Sequence, residues 1–331
     1  MKTLALALAL TFSGAALAQD LVRIGHLGIT PDGPFYIAQE KGYFKEANIE
    51  AKFEPFVSAV AAMAPLSAGQ IEVAGGAVGP SLYNAYARGL PVRIVAHRTR
   101  DVPGNSADLL MVRSDLKEKV RTPADLKGLK IAINAPGAPH HYMVEKLLQT
   151  ARMSLKDVNL VYMPWPDMGT AFTNKVIDAG GVVEPFPAFF EQKGIAYTAW
   201  RASDAVKDPW FELAVVFYND DWAKKNPRVA NEFMVAYLKA CRDLMDAWNG
   251  GNNRGEIIDI LIKHTRVKER ALYDRMHWSH VDENGAILRQ SLIDQQEYWA
   301  QQGQIPKKIE IDKVIDERYV TYAVQKLGAR K

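Results

Sequence analysis

From Leu21 to Tyr218 the apolar residues recur at two spacings in turn. Alternating or wholly apolar runs, LVRIGHL, IEAKFEPF, IEVAGGAV and VRIVAHR, read as strands. Between them lie apolar stripes at helical spacing, opened by Pro34, Ser58 or Pro80 and closed by Gly42 or Gly89, with Pro65 set to bend or end the second. This order predicts parallel βα units, whose ligands gather beyond the C-terminal strand ends. DLLMV, from Asp108 to Val112, reads as a buried strand, and the polar stretch from Ser114 to Arg121 as a crossing into a second unit. There Thr122-Pro123 start a one-turn helix ended by Gly128, and KIAIN, VNLVYM and AGGVV follow as strands. FELAVVFY, from Phe211 to Tyr218, is apolar enough to carry the chain back and leave the first unit discontinuous. After Asn219 the pattern is helical: Val229, Phe233, Tyr237, Ala240, Leu244 and Trp248 share one stripe, and a later helix from about Ala286 to Gly303 turns Leu288, Leu292 and Trp299 inward.

The stretch from Lys130 to Leu148 organises the rest. A short strand ends at Asn134, Pro136 to Pro139 turn the chain, and a helix follows with Met143, Val144, Leu147 and Leu148 on one stripe. A helix beginning directly off a strand end points unpaired N–H groups and a partial positive charge beyond the sheet. Every α/β domain contains such units, so the function must be argued from what surrounds this one.

Composition narrows the classes. Met1 to Ala18 hold one lysine, an apolar middle and an Ala16-Leu17-Ala18 exit, the pattern of a secretory signal too short to span a bilayer. The expected mature chain begins at Gln19, is soluble and exported, and keeps one cysteine, Cys241, hence no internal disulfide. Loss of Lys2 with the leader takes the formal charge from +3 to +2. That balance gives no case for nucleic acid or an anionic membrane as partner. Nucleotide, zinc-helix and G-x-S-x-G signatures are missing from the sequence.

Five segments together carry a family resemblance: RIGHLGITPDGPFYIAQEKGYF, LSAGQIEVAGGAVGP, ADLKGLKIAINAPGAPHHYMVEKLL, KDVNLVYMP and VIDAGGVVEP. The chain to about Asn219 resembles the periplasmic substrate-binding proteins of ABC importers in the nitrate, sulfonate, taurine and thiamine-precursor group (SsuA/THI5-like, NMT1-like), with looser agreement in the tail. The resemblance implies an α/β, two-lobe periplasmic binding protein fold of type 2. Its discontinuous first lobe would take residues 19–109 and 214–331, with the helical tail, and its second lobe 110–213. It implies a small-molecule ligand, whether organic anion, sulfonate, aromatic carboxylate or pyrimidine-like. The partner would be an inner-membrane ABC permease, and the chain a monomer without cofactor, catalytic residue or metal. Ligand contacts would fall at Gly28 to Pro31, Gly75 to Val78, Gly137 to His141 and Glu184 to Phe186. Many relatives place a tryptophan before the Glu-Pro pair where this chain has Gly180-Gly181-Val182-Val183, and Phe186 is the candidate substitute. The alternative is an enzyme like the thiamine-pyrimidine synthases, which share the fold but depend on a cysteine-rich stretch and a cytosolic setting.

The candidate ligand-binding set is therefore Thr30, Pro31, Phe35, Ser58, Gly76, Ala77, Arg98, Ala138, His140, His141, Glu184 and Phe186. His140 and His141 are adjacent on a helix and point about 100° apart, so at most one meets a ligand and either can be plain surface. Glu184 in a cleft favours a ligand with an N–H or amine; otherwise it pairs internally with an arginine such as Arg98. Arg98 and Arg100 can clamp an acid group or sit on a rim. His277, His280 and Asp282 have a spacing open to metal but lie in the helical tail. Trp165, Trp210 and Phe211 can wall a ring-shaped ligand or fill core.

Overall fold

The computed structural model describes residues 18–102, 104–201, 204 and 211–330. Residues 1–17 of the expected leader and Trp210 lie outside the described residues. Among the described residues the strands form two five-stranded sheets, each flanked by helices.

The first sheet has strands β1 (Asp20–His26), β2 (Ile49–Pro55), β3 (Val73–Ala77), β4 (Val92–Asp101) and β10 (Phe211–Asn219), in the order β2-β1-β3-β10-β4. The second has β5 (Asp108–Arg113), β6 (Lys130–Ile133), β7 (Asn159–Tyr162), β8 (Ala179–Val183) and β9 (Ala196–Arg201), in the order β7-β6-β8-β5-β9. β1 runs parallel to β2 and β3, and β6 parallel to β7 and β8. β10 runs antiparallel between β3 and β4, as β5 does between β8 and β9. The sheets thus repeat one plan, each receiving an antiparallel strand just after the chain has changed sheets.

That plan corrects the reading of the polar stretch at 114–121. β5 already belongs to the second sheet, with Asp108 opposite Val183, so the chain changes sheets between Asp101 and Asp108. The alternation missed this because β5 is buried on both faces and carries no mark of its sheet. Gly75 and Gly76 lie inside β3, within the IEVAGGAV run read as a strand.

Helices α1 (Gly33–Glu40), α2 (Tyr43–Glu46), α3 (Ala59–Ser67) and α4 (Pro80–Ala87) accompany the first sheet; α5 (Pro139–Thr150), α6 (Trp165–Thr173) and α7 (Phe186–Gln192) accompany the second. Pro65 falls inside α3, which continues to Ser67. The tail comprises α8 (Asp220–Lys225), α9 (Pro227–Trp248), α10 (Arg254–His264), α11 (Arg270–Tyr273), α12 (Arg289–Gln301), α13 (Ile311–Val314) and α14 (Arg318–Leu327). Val229, Phe233, Tyr237, Ala240 and Leu244 of α9 are buried as the stripe predicts, and so are Leu292 and Trp299 of α12. One hydrophobic cluster includes Ile24 and Phe35 from the first half, Tyr237 and Trp278 from the tail, and Val182, Phe186 and Phe190 from the second half. The tail therefore packs against both halves.

Candidate functional site

A cleft lies where the C-terminal ends of the parallel strands in the two sheets face one another. Leu27, Ile29 and Pro31 come from the loop after β1, Ser58 to Val60 from the start of α3, and Ala77, Gly79 and Ser81 from the end of β3 and the start of α4. Opposite stand Asn134, Ala135 and Gly137 to His140 after β6, Trp165 at the start of α6, Val183 at the end of β8, and Asp108 at the start of β5. Arg98, Thr99, Leu213 and Ala214 close one side. Helices α3, α4, α5 and α6 all begin here, so their N-terminal partial charges converge on the cleft.

The halves touch around this space. Thr30 donates to the Glu184 carbonyl from its backbone N–H (3.2 Å) and its hydroxyl (3.0 Å). The loops leading into α4 and α5 approach so closely that a Cβ on Gly79 would lie 2.4 Å from the Gly137 carbonyl oxygen. The Tyr142 ring stacks on Phe211 at 5.2 Å and meets Tyr298 edge-on at 4.7 Å. The remaining cavity is about 40 Å³, room for roughly two or three waters. This is a shut cleft.

Two pairs of glycines shape its floor. A Cβ on Gly75 in β3 would lie 2.6 Å from Arg98 Nε, and one on Gly181 in β8 would lie 2.5 Å from His140. The double glycines of the central strands thus make room for two large polar side chains that would otherwise collide with the sheet. Arg98 is 2% exposed and ion-pairs with Asp32. Asp32 Oδ2 also accepts from Leu27 N at 2.9 Å and Ile29 N at 3.3 Å, fixing the loop after β1. His140 Nε2 lies 3.3 Å from Asp108 Oδ1. Burial pushes the Asp108 carboxyl up to about 7 against the pull of Arg98, and pushes His140 down to about 4. Asn134 Oδ1 is buried without a hydrogen-bond partner.

Of the candidate set, Pro31, Ser58, Ala77, Arg98, Ala138 and His140 come together on the cleft wall. The Ser58 hydroxyl oxygen also caps α3 by accepting from Ala61 N at 3.2 Å. The other six lie off that wall. Thr30 forms the contact with Glu184, Phe35 is fully buried in the core, and Gly76 faces Ala59 and Phe217 behind β3. His141 turns to Trp299 at 5.4 Å, which the angular offset from His140 requires. Phe186 lines a separate groove with Phe189 and Arg266, so the aromatic ring on the cleft wall is that of Trp165.

Glu184 is 1% exposed and faces a small polar cavity behind the cleft with Arg275 and His277. Its Oε1 accepts from His277 N at 3.0 Å and its Oε2 from Ala188 N at 3.3 Å, so it pairs with backbone instead of with Arg98. Burial pushes it up to about 8 despite those donors. Arg100 turns to the tail, reaching the Ala286 carbonyl and, at 3.4 Å, Asp282. Among the described residues no three His, Cys, Asp or Glu side chains are disposed to hold a metal. The carboxylate on the cleft is Asp108, whose sequence signal was an acid opening an apolar strand; Asn134 was legible only as a strand's last residue.

The family described as NMT1/THI5 like matches residues 31–247. A putative binding protein of Brucella abortus is 28% identical over 278 residues, covering 81% of this chain and 80% of that one. The alkanesulfonate-binding protein SsuA of Xanthomonas axonopodis pv. citri, bound to MOPS, superposes with a TM-score of 0.73 at 18% identity, covering 91% of this chain and 100% of that one. The periplasmic nitrate-binding protein NrtA of Synechocystis PCC 6803 gives 0.76 at 18% identity, covering 94% and 90%. With two sheets of the same plan closing over one cleft, and a family match spanning most of its length, this chain belongs to the NMT1/THI5 like family.

Proposed function

We propose that this protein is the solute-binding component of an ABC-type importer, exported to the periplasm with its leader removed after Ala18. It captures one small organic molecule between two lobes and delivers it to an inner-membrane permease. The observation that carries this reading is the shut cleft, in which strand ends and the starts of α3, α4, α5 and α6 meet from both sheets. Ligand contacts fall to Pro31, Ser58, Ala77, Arg98, Ala138 and His140, joined by Asp108, Asn134 and Trp165.

Closing buries the solute against helix starts while forming contacts such as Thr30 to Glu184, so binding and closure are one equilibrium. No covalent step is assigned. The competing synthase reading depends on a cysteine-rich stretch, whereas the single Cys241 is buried in α9 away from the cleft.

A thermal-shift panel of sulfonates, aromatic carboxylates, pyrimidines and riboflavin-like compounds tests the proposal. A true ligand at a hundred times its Kd adds about 2.7 kcal/mol of stability. Turnover of a bound compound would favour the enzyme, and silence across the panel would remove the carrier.

A further inference from the structure

The walls of the cleft are unequally supplied with hydrogen-bonding partners. Arg98 is the cation nearest to hand; one terminal nitrogen of its guanidinium is held by Asp32, while its Nε is buried against Gly75 without a partner. Asp108 reaches the cleft with no N–H donor on its carboxylate among the described residues, its contact with His140 Nε2 being a 3.3 Å approach without hydrogen-bond geometry. Asn134 Oδ1, in the loop after β6 of the same sheet, is buried and unpartnered. Asn134 Oδ1 therefore lacks a donor in the shut state, beside the Asp108 carboxylate that lines the same space, and a buried acceptor left so costs a protein an appreciable part of its stability.

Resting on the carrier reading above, we infer that the solute presents nitrogen-borne hydrogens, as an amidine or an amine-bearing ring does, to Asp108 and Asn134. A bare oxyanion supplies no donor to either and meets the Asp108 carboxylate with like charge. The Trp165 indole N–H is already given to the Gly181 carbonyl at 3.2 Å, which fixes the ring on the wall and suits a flat group beside it. The helix starts still leave a place for an acid elsewhere on the same molecule.

The charged and titratable groups around Asp108 are Arg98 and Asp101 on β4, His140 on α5, and Asp32 behind Arg98. Asp101 is held well above the ordinary carboxylate range, first by burial and then by Asp108 itself. His140 stays neutral above about pH 4. Asp108 is thus the group whose ionisation falls near neutrality, and a cationic solute gains as it ionises.

The test uses matched pairs of one shape and opposite chemistry: acetamidine against acetate and benzamidine against benzoate, by calorimetry on the full mature chain. The amidines are expected to bind at least tenfold more tightly than their acids and to tighten further between pH 6 and pH 8. Asp108→Asn should remove the preference at least tenfold, and Asn134→Ala, an independent change in the loop after β6, should weaken the amidines severalfold. Acids binding as well as amidines, with Asp108→Asn neutral or tightening, would overturn the inference and leave the carrier standing. Amidines bound with no loss in either variant would overturn the assigned contacts. Silence of all four probes and of the wider solute panel would overturn both readings.

Discussion

Asp32 and Arg98 show how a binding protein places a charge beneath its cleft. The pair is almost fully buried, and each partner holds something else in place: Asp32 the loop after β1, Arg98 the wall beside Gly75. Removing one member of a buried pair strands the other, which costs about 3–5 kcal/mol, well beyond what the contact itself contributes. Asp32→Ala is therefore expected to lower stability by about that amount in urea unfolding and to loosen the Leu27–Pro31 loop. The double variant Asp32→Ala/Arg98→Met should recover much of the loss, because no lone charge remains. A double variant as unstable as the single one would show that the loop contacts, and not the stranded arginine, carry the cost.

Among the elements, the double-glycine strands β3 and β8 and the loops into α4 and α5 decide whether the halves can meet. Gly79 is the informative position: its φ of −176° is ordinary extended backbone, so an alanine there is locally unstrained. Its methyl would nonetheless stand 2.4 Å from the Gly137 carbonyl oxygen across the cleft. Gly79→Ala is expected to leave unfolding within about 0.5 kcal/mol of the parent, to enlarge the radius of gyration in solution scattering, and to weaken solute binding at least tenfold. An unchanged radius with unchanged affinity would mean that these loops need not meet for binding. The element order and the helix starts were legible because periodicity, prolines and caps are local signals, as at Ser58 and Pro139. Trp165 was legible as one of several rings able to wall a pocket; the sheet owning β5, the back face of Glu184 and the turn of Phe186 away from the cleft were not. Those depend on which strand lies opposite and which way a chain end turns, and no residue spacing encodes either.

At the scale of the whole molecule the balance of buried acids and buried histidines sets a pH profile. Asp108 is raised from 3.8 to about 7 and Glu184 from 4.5 to about 8, both by burial. Each keeps its proton in the folded state after losing it in the unfolded one, so its contribution is full below the unfolded pKa and is lost as pH rises through the folded value. His140, His141 and His280 are lowered from 6.5 to about 4, again chiefly by burial. Their contribution runs the other way, present above pH 6.5 and lost as pH falls toward 4. The two sets oppose one another between about pH 4.5 and 6.5, whereas above 6.5 the histidines are neutral in both states and only the acids act. Stability is therefore expected to fall by on the order of 2 kcal/mol between pH 6.5 and pH 8.5 in urea titrations. Glu184→Gln, which cannot ionise, should flatten the larger part of that fall, and a profile that stays level or rises over the range would mean that Glu184 and Asp108 are ionised at neutral pH in the folded protein. The solute would act on the same balance: a cationic group set against Asp108 favours its ionised form, so saturation with such a ligand should reduce the alkaline loss, while an anionic ligand should steepen it.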